Sequence, residues 1–547
     1  MFRKNDEHKQ QELFNSYLSF KPSVAKLLNK TWAPVFYEQV FCKINEDLFA
    51  PLYCLDNGRP NFPINRLLSL EIIKNLFDYT DLEILDQFHF NYQVMYALGI
   101  RNFGEVSLAE RTIYDFRERV FNYIKEHTNE EDILFKQFEI LTKNFIDVAG
   151  IKTDQQRMDS TLISPNIKKA GRLSLAHDVL AQAVQSIPEN YLSENLKQVL
   201  NDSFKNTLLY HTRNREIDSR FQSVLDLMAE VEALSQKLPD IACLEPLNIL
   251  KRFLQEQAVY IQEEHRYLPR DKKDIPASSL QSAYDSDATF RDKAGKKHSG
   301  YVLQLSETCS EENPVQLITD YDLKPNHTSD VELSQQRLAT IKKNTHAQDL
   351  YVDGGFYSPE VIDEAGKLDI NLHFTDMTGK KPPEDKISLS RFTINDQMEI
   401  THCPAGEKAE RSDYNEKKKT LSVHFSQDQC QNCQLRPNCP VKSQKKDFVL
   451  RTSQKALLAA MVREQINDKE IKRENISKRA GIEGTNSALK RAQGADHLRT
   501  RGLIRCEMET AFKVIGRNFK QFWRGITGKV RPKVKKQQKG QLCPITG

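Results

Sequence analysis

Three short stretches carry acids where a carboxylate could do chemistry: Asp159 in RMDST, Asp353 in LYVDGG and Glu483 in RAGIEGTNSALKR. The first two close runs of apolar and β-branched residues and are expected at strand ends on the edge of a sheet, whereas the third sits within or at the start of a helix. Carboxylates so arranged bind Mg²⁺ or Mn²⁺, hard ions that take oxygen ligands and keep waters and substrate phosphate in their shell. Two such ions about 3.5–4 Å apart stabilise the attacking and leaving oxygens of an in-line phosphoryl displacement, which is nuclease or strand-transferase chemistry. Each acid also has a plain structural reading. Asp159 could bond its own turn through Ser160 and Thr161, Asp353 could open a Gly turn, and Glu483 could be an exposed i,i+4 partner of Arg479 worth a few tenths of a kcal/mol. With 75 acidic residues in the chain, a triple chosen without regard to order carries no information.

A second constellation is made of thiols. Cys403, Cys430, Cys433 and Cys439 are separated by 26, two and five residues, and they are four of only ten cysteines. One C-x-x-C pair joined by two more cysteines suits a structural, tetrahedral Zn²⁺, with His402 and His424 as substitute ligands; the alternative is a set of reduced, unliganded thiols. Four protein ligands leave no open position, so no catalysis is assigned there. The uneven cysteine usage fits a reducing compartment rather than a disulfide framework.

The elements that must position these groups follow from length and pattern. A chain of 547 residues suggests three or four structural units. Hydrophobic residues make up 39 % and charged residues 28 %, and the mean hydropathy of −0.61 is that of a soluble folded protein. The start, MFRKNDEHKQQELF, has no apolar h-region, and no run approaches the roughly 18 residues of a membrane helix, so no membrane partner and a cytoplasmic, nucleoid-associated location are expected. The net charge of +4 is lopsided: from Thr510 onward there are ten Lys or Arg and no acid, a composition usually solvated and disordered that would also bind phosphate backbone without sequence preference.

Residues 1–145 read as an all-α N-terminal domain. Leu68, Ile72, Ile73 and Leu76 recur at helical spacing after a proline, and Ile113, Phe116, Val120 and Ile124 form a stripe that leaves Arg111, Arg117 and Arg119 off it. Periodicity favours a bundle with a charged outer face; the sharper reading is a DNA-reading domain with outward arginines. Strands follow around Asp159, in HSGYVLQLSET paired with NPVQLITDYD, before Asp353, and in INLHFTD. Between them lies a helical block, and SPEVIDEAGK opens a helix with Ser358 and Pro359. The division expected is a catalytic core of 146–168, 280–378 and 447–525, a helical insertion of 169–279, a β-rich cysteine-containing insertion of 379–446, and a basic tail of 526–547.

This order of strand-Asp, helical insertion, strand pair, strand-Asp-Gly, β insertion and helix-Glu resembles the DDE transposases of bacterial insertion sequences. Their last motif runs Tyr, two residues, Arg, three residues, Glu, six residues, Lys; here Arg479, Glu483 and Lys490 keep that spacing and Ile476 stands at the Tyr position. GRPNFPINRLLSLEIIKNLFDYTDLEILDQ and LAERTIYDFRERV look like the family's N-terminal domain, and DSDATFRDKAGKKHSGYVLQL like its strands two and three, so the resemblance spans about residues 35 to 525. It implies an α/β fold with a ribonuclease-H-like mixed sheet. It also implies catalytic Asp159, Asp353 and Glu483 holding Mg²⁺ or Mn²⁺, and Arg479, Lys490 and Arg491 on DNA phosphates. The implied reaction is hydrolysis at an element's end that frees a 3′-hydroxyl, which then attacks target DNA with no covalent enzyme intermediate. Partners are double-stranded DNA, as terminal inverted repeats and target, and a second copy of the chain once DNA is bound.

If the last segment is helical, offsets of four and seven residues bring Arg479, Glu483 and Lys490 to one face. Gly481 and Gly484 each cost about 1 kcal/mol against Ala inside a helix, so either the helix begins late or DNA approaches its backbone closely. Asp285, Asp287, Asp320 and Asp322 compete for the metal role, Asp287 first among them. Two alternative functions stay open: a catalytically inactive, transposase-derived DNA-binding regulator, and a zinc-dependent hydrolase, against which the four clustered cysteines speak.

Overall fold

The computed structural model describes residues 1–9, 15–54, 56–293, 295–377, 385–395, 399–416 and 420–528. Most of the basic tail therefore lies outside the described residues. The chain divides into two compact units, one of Met1–Lys152, Ser310–Ile318 and Ala511–Gly547, the other of Thr153–Cys309 and Thr319–Thr510.

The first unit is helical among its described residues. Helix Ile64–Phe77 follows Pro63 at its N-cap and is buried at twelve of its fourteen residues, polar ones included, so it runs through the core rather than along a surface. Helix Glu110–Glu126 buries Ile113, Phe116 and Val120 as the spacing predicts. The expectation of outward arginines is corrected at Arg117. Its guanidinium turns inward to the Glu71 carboxylate (2.8 Å) and to both oxygens of Asp81 (3.0 and 2.6 Å). Burial works to raise the Asp81 carboxyl, yet Arg117 and Lys74 hold it well below the usual carboxylate range. Periodicity missed this because the two acids come from other helices. Arg119 stays exposed as expected, with its guanidinium over the Tyr53 ring. Arg117→Met is expected to lower stability by about 3–5 kcal/mol, because Glu71 stays buried without a counter-charge. A urea midpoint reads this; an outward DNA-contacting arginine would leave the midpoint unchanged.

From Ala511 the C-terminal helix Leu503–Ile526 packs in this first unit. Phe519 meets Phe36 edge-on at 4.9 Å and Phe522 stacks on Phe145 at 4.8 Å. Asn518 brackets Ile318, accepting from its N–H (2.8 Å) and donating to its carbonyl (2.7 Å).

The second unit is built on a mixed sheet whose strands are β1 (Gln155–Ile163), β2 (Thr289–Lys293), β3 (Lys296–Thr308), β4 (Ile318–Pro325), β5 (Asp349–Val352) and β6 (Asn371–Phe374). Its order is β2–β3–β1–β5–β6, with β4 also paired to β3. β1 runs antiparallel to β3 and parallel to β5, and β5 is parallel to β6. Helices α1 (Asp330–Thr345), α2 (Pro359–Lys367) and α3 (Gln454–Asn467) cover one face, where Met158, Leu338, Ile341, Leu350, Val352 and Phe374 share a core with Val462 and Ile466. Their starts are chemically marked. Ser329, Ser358 and Ser453 each accept a backbone N–H at the N-cap, and Pro359 occupies the first turn of α2.

Helices between Arg172 and Gln257 form their own core around Leu180, Val224, Met228 and Phe253. A separate small sheet runs Arg411–Asn415, Thr420–Phe425, Phe448–Thr452 and Lys442–Ser443 in that order; the cysteines lie off its strands, with Cys403, Cys430 and Cys439 packed against its core. Among the described residues no helix is long and apolar enough to cross a membrane.

Candidate active site

Asp159 is the fifth of nine residues of β1, opposite Leu305 of β3. This corrects the expectation of a strand end: Ser160 and Thr161 do not terminate the strand, because β-branched Thr161 and apolar Leu162 and Ile163 continue its pairing. Alternation sends Met158 into the helix-covered core and Asp159 to the opposite face. Asp353 does end its strand, directly after Val352 of β5. Its Oδ1 accepts the Gly355 N–H at 2.8 Å and caps a short turn, Gly354–Phe356. Gly354 is required there: its N–H donates to Asp376 (2.8 Å), and a Cβ would stand 2.7 Å from that same carboxylate oxygen.

The third acid lies on α4, Lys469–Ala492, capped by Asp468. The helix therefore begins well before Glu483, and both glycines are interior. Gly481 has a packing reason. A Cβ there would overlap the Arg157 guanidinium, which is buried, pairs with Glu307 (2.7 Å) and donates to the Lys478 carbonyl (2.8 Å). Thr485 one turn on donates to the same Glu307 (2.7 Å), and Asn475 donates to the Phe374 carbonyl (3.0 Å). These contacts lock α4 across β1, β3 and β6. A Cβ on Gly484 would meet nothing within 4 Å.

Docked so, α4 brings Arg479 between two of the acids, at 3.7 Å from Asp353 Oδ2 and 3.4 Å from Glu483 Oε1. Asn486 donates to Asp159 Oδ2 at 3.2 Å. Burial pushes the Asp159 carboxyl up to about 6; Arg479 opposes the shift, and the like charge of Asp353 adds to it. Asp159, Asp353 and Glu483 thus share one neighbourhood, with Glu483 the most exposed at 66 % of its side chain.

Two neighbours escaped the sequence reading. Asp330, first residue of α1, accepts from Ser160 Oγ (2.8 Å) and faces Arg291 at 3.4 Å; a Cβ on Gly355 would lie 3.3 Å from it and 3.0 Å from Asp353. Its sequence context, Ser then Asp, signals only an acidic first helical turn. Asn486 could have been found as the residue three after Glu483 on the same helix face.

Basic groups rim the site. Lys490 pairs with Asp496 at 3.3 Å, and Arg491 is exposed. Burial lowers the His298 imidazole, and Lys490, Lys169 and Lys293 lower it further, which brings three cations around one ring. The competing acids are tied up elsewhere. Asp285 is buried and accepts from Tyr301 (2.6 Å) and the Gly502 N–H (2.8 Å), Asp287 accepts from the Leu503 N–H (3.2 Å), Asp320 pairs with Arg337, and Asp322 with Lys324.

The four cysteines are neighbours. Burial pushes the Cys430 thiol up to about 11, with Cys403, Cys439 and Cys433 adding to the shift. Yet among the described residues no group of three or more His, Cys, Asp or Glu could hold a metal ion. The substitute ligands are engaged or local: His424 lies against Asp447 (2.6 Å) and Asp413 (3.3 Å), and His402 against Thr401. For the acids the requirement is lighter, since Mg²⁺ takes one or two carboxylates and completes its shell from water and phosphate. Asp159 beside Asp353 fits that donor set.

The raised Asp159 has a sign that can be measured. Unfolded, the acid ionises near 3.8; folded, near 6. The folded state binds the extra proton between these values, so stability falls as pH rises through that window and the loss persists above it. Asp159→Asn is expected to raise the metal-free melting temperature by several degrees at pH 7.5, and to leave it unchanged below pH 4.

Fold and site together define an α/β protein with Asp159, Asp353 and Glu483 gathered near one arginine and beside a basic rim. A family model for a transposase DDE domain matches residues 402–523, and one for a transposase domain (DUF772) matches residues 30–119. Together they indicate a DDE transposase of the insertion-sequence type. The first match contains Arg479, Glu483, Lys490 and the four cysteines; Asp159 and Asp353 lie outside it. No curated protein and no solved structure matches the chain. Transposases of this family act on DNA and generally use divalent ions such as Mg²⁺.

Proposed function

We propose that this chain cuts the ends of an insertion sequence and joins them to target DNA, with Asp159, Asp353 and Glu483 as the metal-holding carboxylates of a ribonuclease-H-like core. The observation that carries the reading is the convergence of these acids, 130 or more positions apart in sequence, around one guanidinium. A β1 flanked by antiparallel β3 and parallel β5 supports the fold assignment.

A bound Mg²⁺ lowers the pKa of water and neutralises phosphate charge. The chain's own residues supply the geometry. Asp159 and Asp353 sit on adjacent strands with little freedom, and Asn486 orients the first. Glu483, exposed on α4, would have to turn inward to complete the set. Lys490, Arg491, Lys293 and Lys169 hold the DNA backbone, with Arg479 nearest the reacting phosphate. Asp159 must be ionised to act as a ligand, so metal affinity rises as pH passes through about 6. Two ends brought together call for two copies on DNA, in the cytoplasm.

The test is incubation of purified chain with Mg²⁺ or Mn²⁺ and a duplex carrying the inverted repeat that flanks the gene. Nicking at the repeat boundary with a new 3′-hydroxyl is expected. Tight binding without any cleavage in either metal would instead make the chain a regulator.

A further inference from the structure

We propose that Arg479 is a displaceable internal counter-ion: without DNA it occupies the space between Asp353 and Glu483, and a DNA phosphate draws it away, so that DNA and divalent cation enter the site together. This rests on the metal-site reading above and adds its regulation.

The geometry of Arg479 differs from that of the chain's structural arginines. Arg157 holds Glu307 at 2.7 Å and Arg117 holds Asp81 at 2.6 Å, the short spacing of a charge-assisted hydrogen bond. Arg479 stands 3.4 and 3.7 Å from its two acids, each reached through a different nitrogen. It spans the pair with one long hydrogen bond to Glu483 and none to Asp353. Arg479 itself is as sheltered as those arginines, at 16 % of its side chain, but its partners remain wet: Asp353 is 33 % and Glu483 66 % exposed, against 1 % for Glu307. Ion pairs with such partners are weak and readily exchanged.

Phosphate is the better partner. It offers a guanidinium two parallel acceptors at hydrogen-bonding distance, where the two separate carboxylates offer one loose contact each. The surrounding cations Lys490, Lys293 and Lys169 draw the backbone to this rim. While Arg479 stays, its positive charge repels an incoming cation and satisfies the acids. Once it leaves, Asp353 and Glu483 lose the cation they share, Asp159 keeps only Lys293 beside it, and affinity for a divalent ion rises. Because the coupling is an equilibrium one, it is reciprocal: Mn²⁺ must tighten DNA by the same factor that DNA tightens Mn²⁺.

The experiment is a Mn²⁺ titration followed by the electron paramagnetic resonance of the free ion, on the full chain, with and without a duplex already cut at the element end. Wild type is expected to bind Mn²⁺ weakly alone and about tenfold more tightly with the duplex. Arg479→Gln should bind Mn²⁺ tightly without DNA and gain little from it. Arg479→Lys, which keeps the charge but loses the fork, should lie between and guards against a folding defect in the first variant. Asp353→Asn should weaken binding in every state. If Arg479→Gln binds no more tightly than wild type while Asp353→Asn weakens both, the counter-ion role is wrong and the carboxylate site stands. If none of the proteins binds Mn²⁺ with or without DNA, the site reading falls and this inference with it.

Discussion

A Gly481→Ala chain is expected to lose cleavage by about 100-fold or more while a Gly484→Ala chain keeps it. The two glycines lie three residues apart on the same helix, so propensity treats them alike: each substitution removes about 1 kcal/mol of helix penalty. Packing separates them. A methyl on Gly481 drives into Arg157, whose charge is buried against Glu307 and whose Nη1 also holds the Lys478 carbonyl. Either the ion pair breaks or α4 moves off the sheet, and α4 carries Glu483, Arg479 and Asn486. A displacement of 1 Å at a reacting centre costs about 100-fold in rate, and breaking the buried pair costs about 3–5 kcal/mol in stability. A methyl on Gly484 meets open space, and that variant should be more stable than wild type by about 0.5–1 kcal/mol. Paired urea melts and a single-turnover cleavage assay check both; equal behaviour of the two variants would mean that α4 is not held as described.

The second large effect is removal of the acids themselves. Asp353→Asn and Glu483→Gln are each expected to lower metal-dependent cleavage by about 1,000-fold or more, the loss that follows when several kcal/mol of charge stabilisation disappears. DNA affinity should stay within a few-fold of wild type, because phosphate contacts come from the basic rim. The competing acids should behave differently. Asp320→Asn removes a buried charge paired with the half-buried Arg337, and Asp285→Asn disturbs the acceptor of Tyr301 and Gly502. Both should lower stability first and activity only as a consequence. A gel-shift assay beside the cleavage assay and a melt separates the two patterns.

Much of this arrangement was legible because its signals are local. A serine followed by proline marks the helix start at Ser358. Asp-Gly-Gly after an apolar run marks Asp353 at a strand end, and offsets of four and seven set Arg479, Glu483 and Lys490 on one side of a helix. What sequence left unread is tertiary. Arg117 falls off the apolar stripe of its helix, yet turns inward because Glu71 and Asp81 arrive from elsewhere. Asp159 precedes two hydroxyl residues that suggest a turn, but pairing with β3 carries the strand on to Ile163. The interior glycines suggested either a late helix start or a close approach of DNA; the helix starts early, and Arg157, more than 300 residues upstream, fills the room that Gly481 leaves. Asp330 and Asn486 carry no local mark beyond that of ordinary helix residues. Their place beside Ser160 and Asp159 follows only from the folded sheet.

The claim that three distant acids grip one cation is tested most directly by letting the cation report its own position. With Fe²⁺ in place of Mg²⁺, and ascorbate with peroxide added, hydroxyl radicals cut the polypeptide backbone near the bound ion. Cuts are expected close to Asp159, Asp353 and Glu483 together, suppressed by excess Mg²⁺ and absent in Asp353→Asn. Cuts at only one of the three, or a pattern that Asp353→Asn leaves untouched, would contradict a shared metal site.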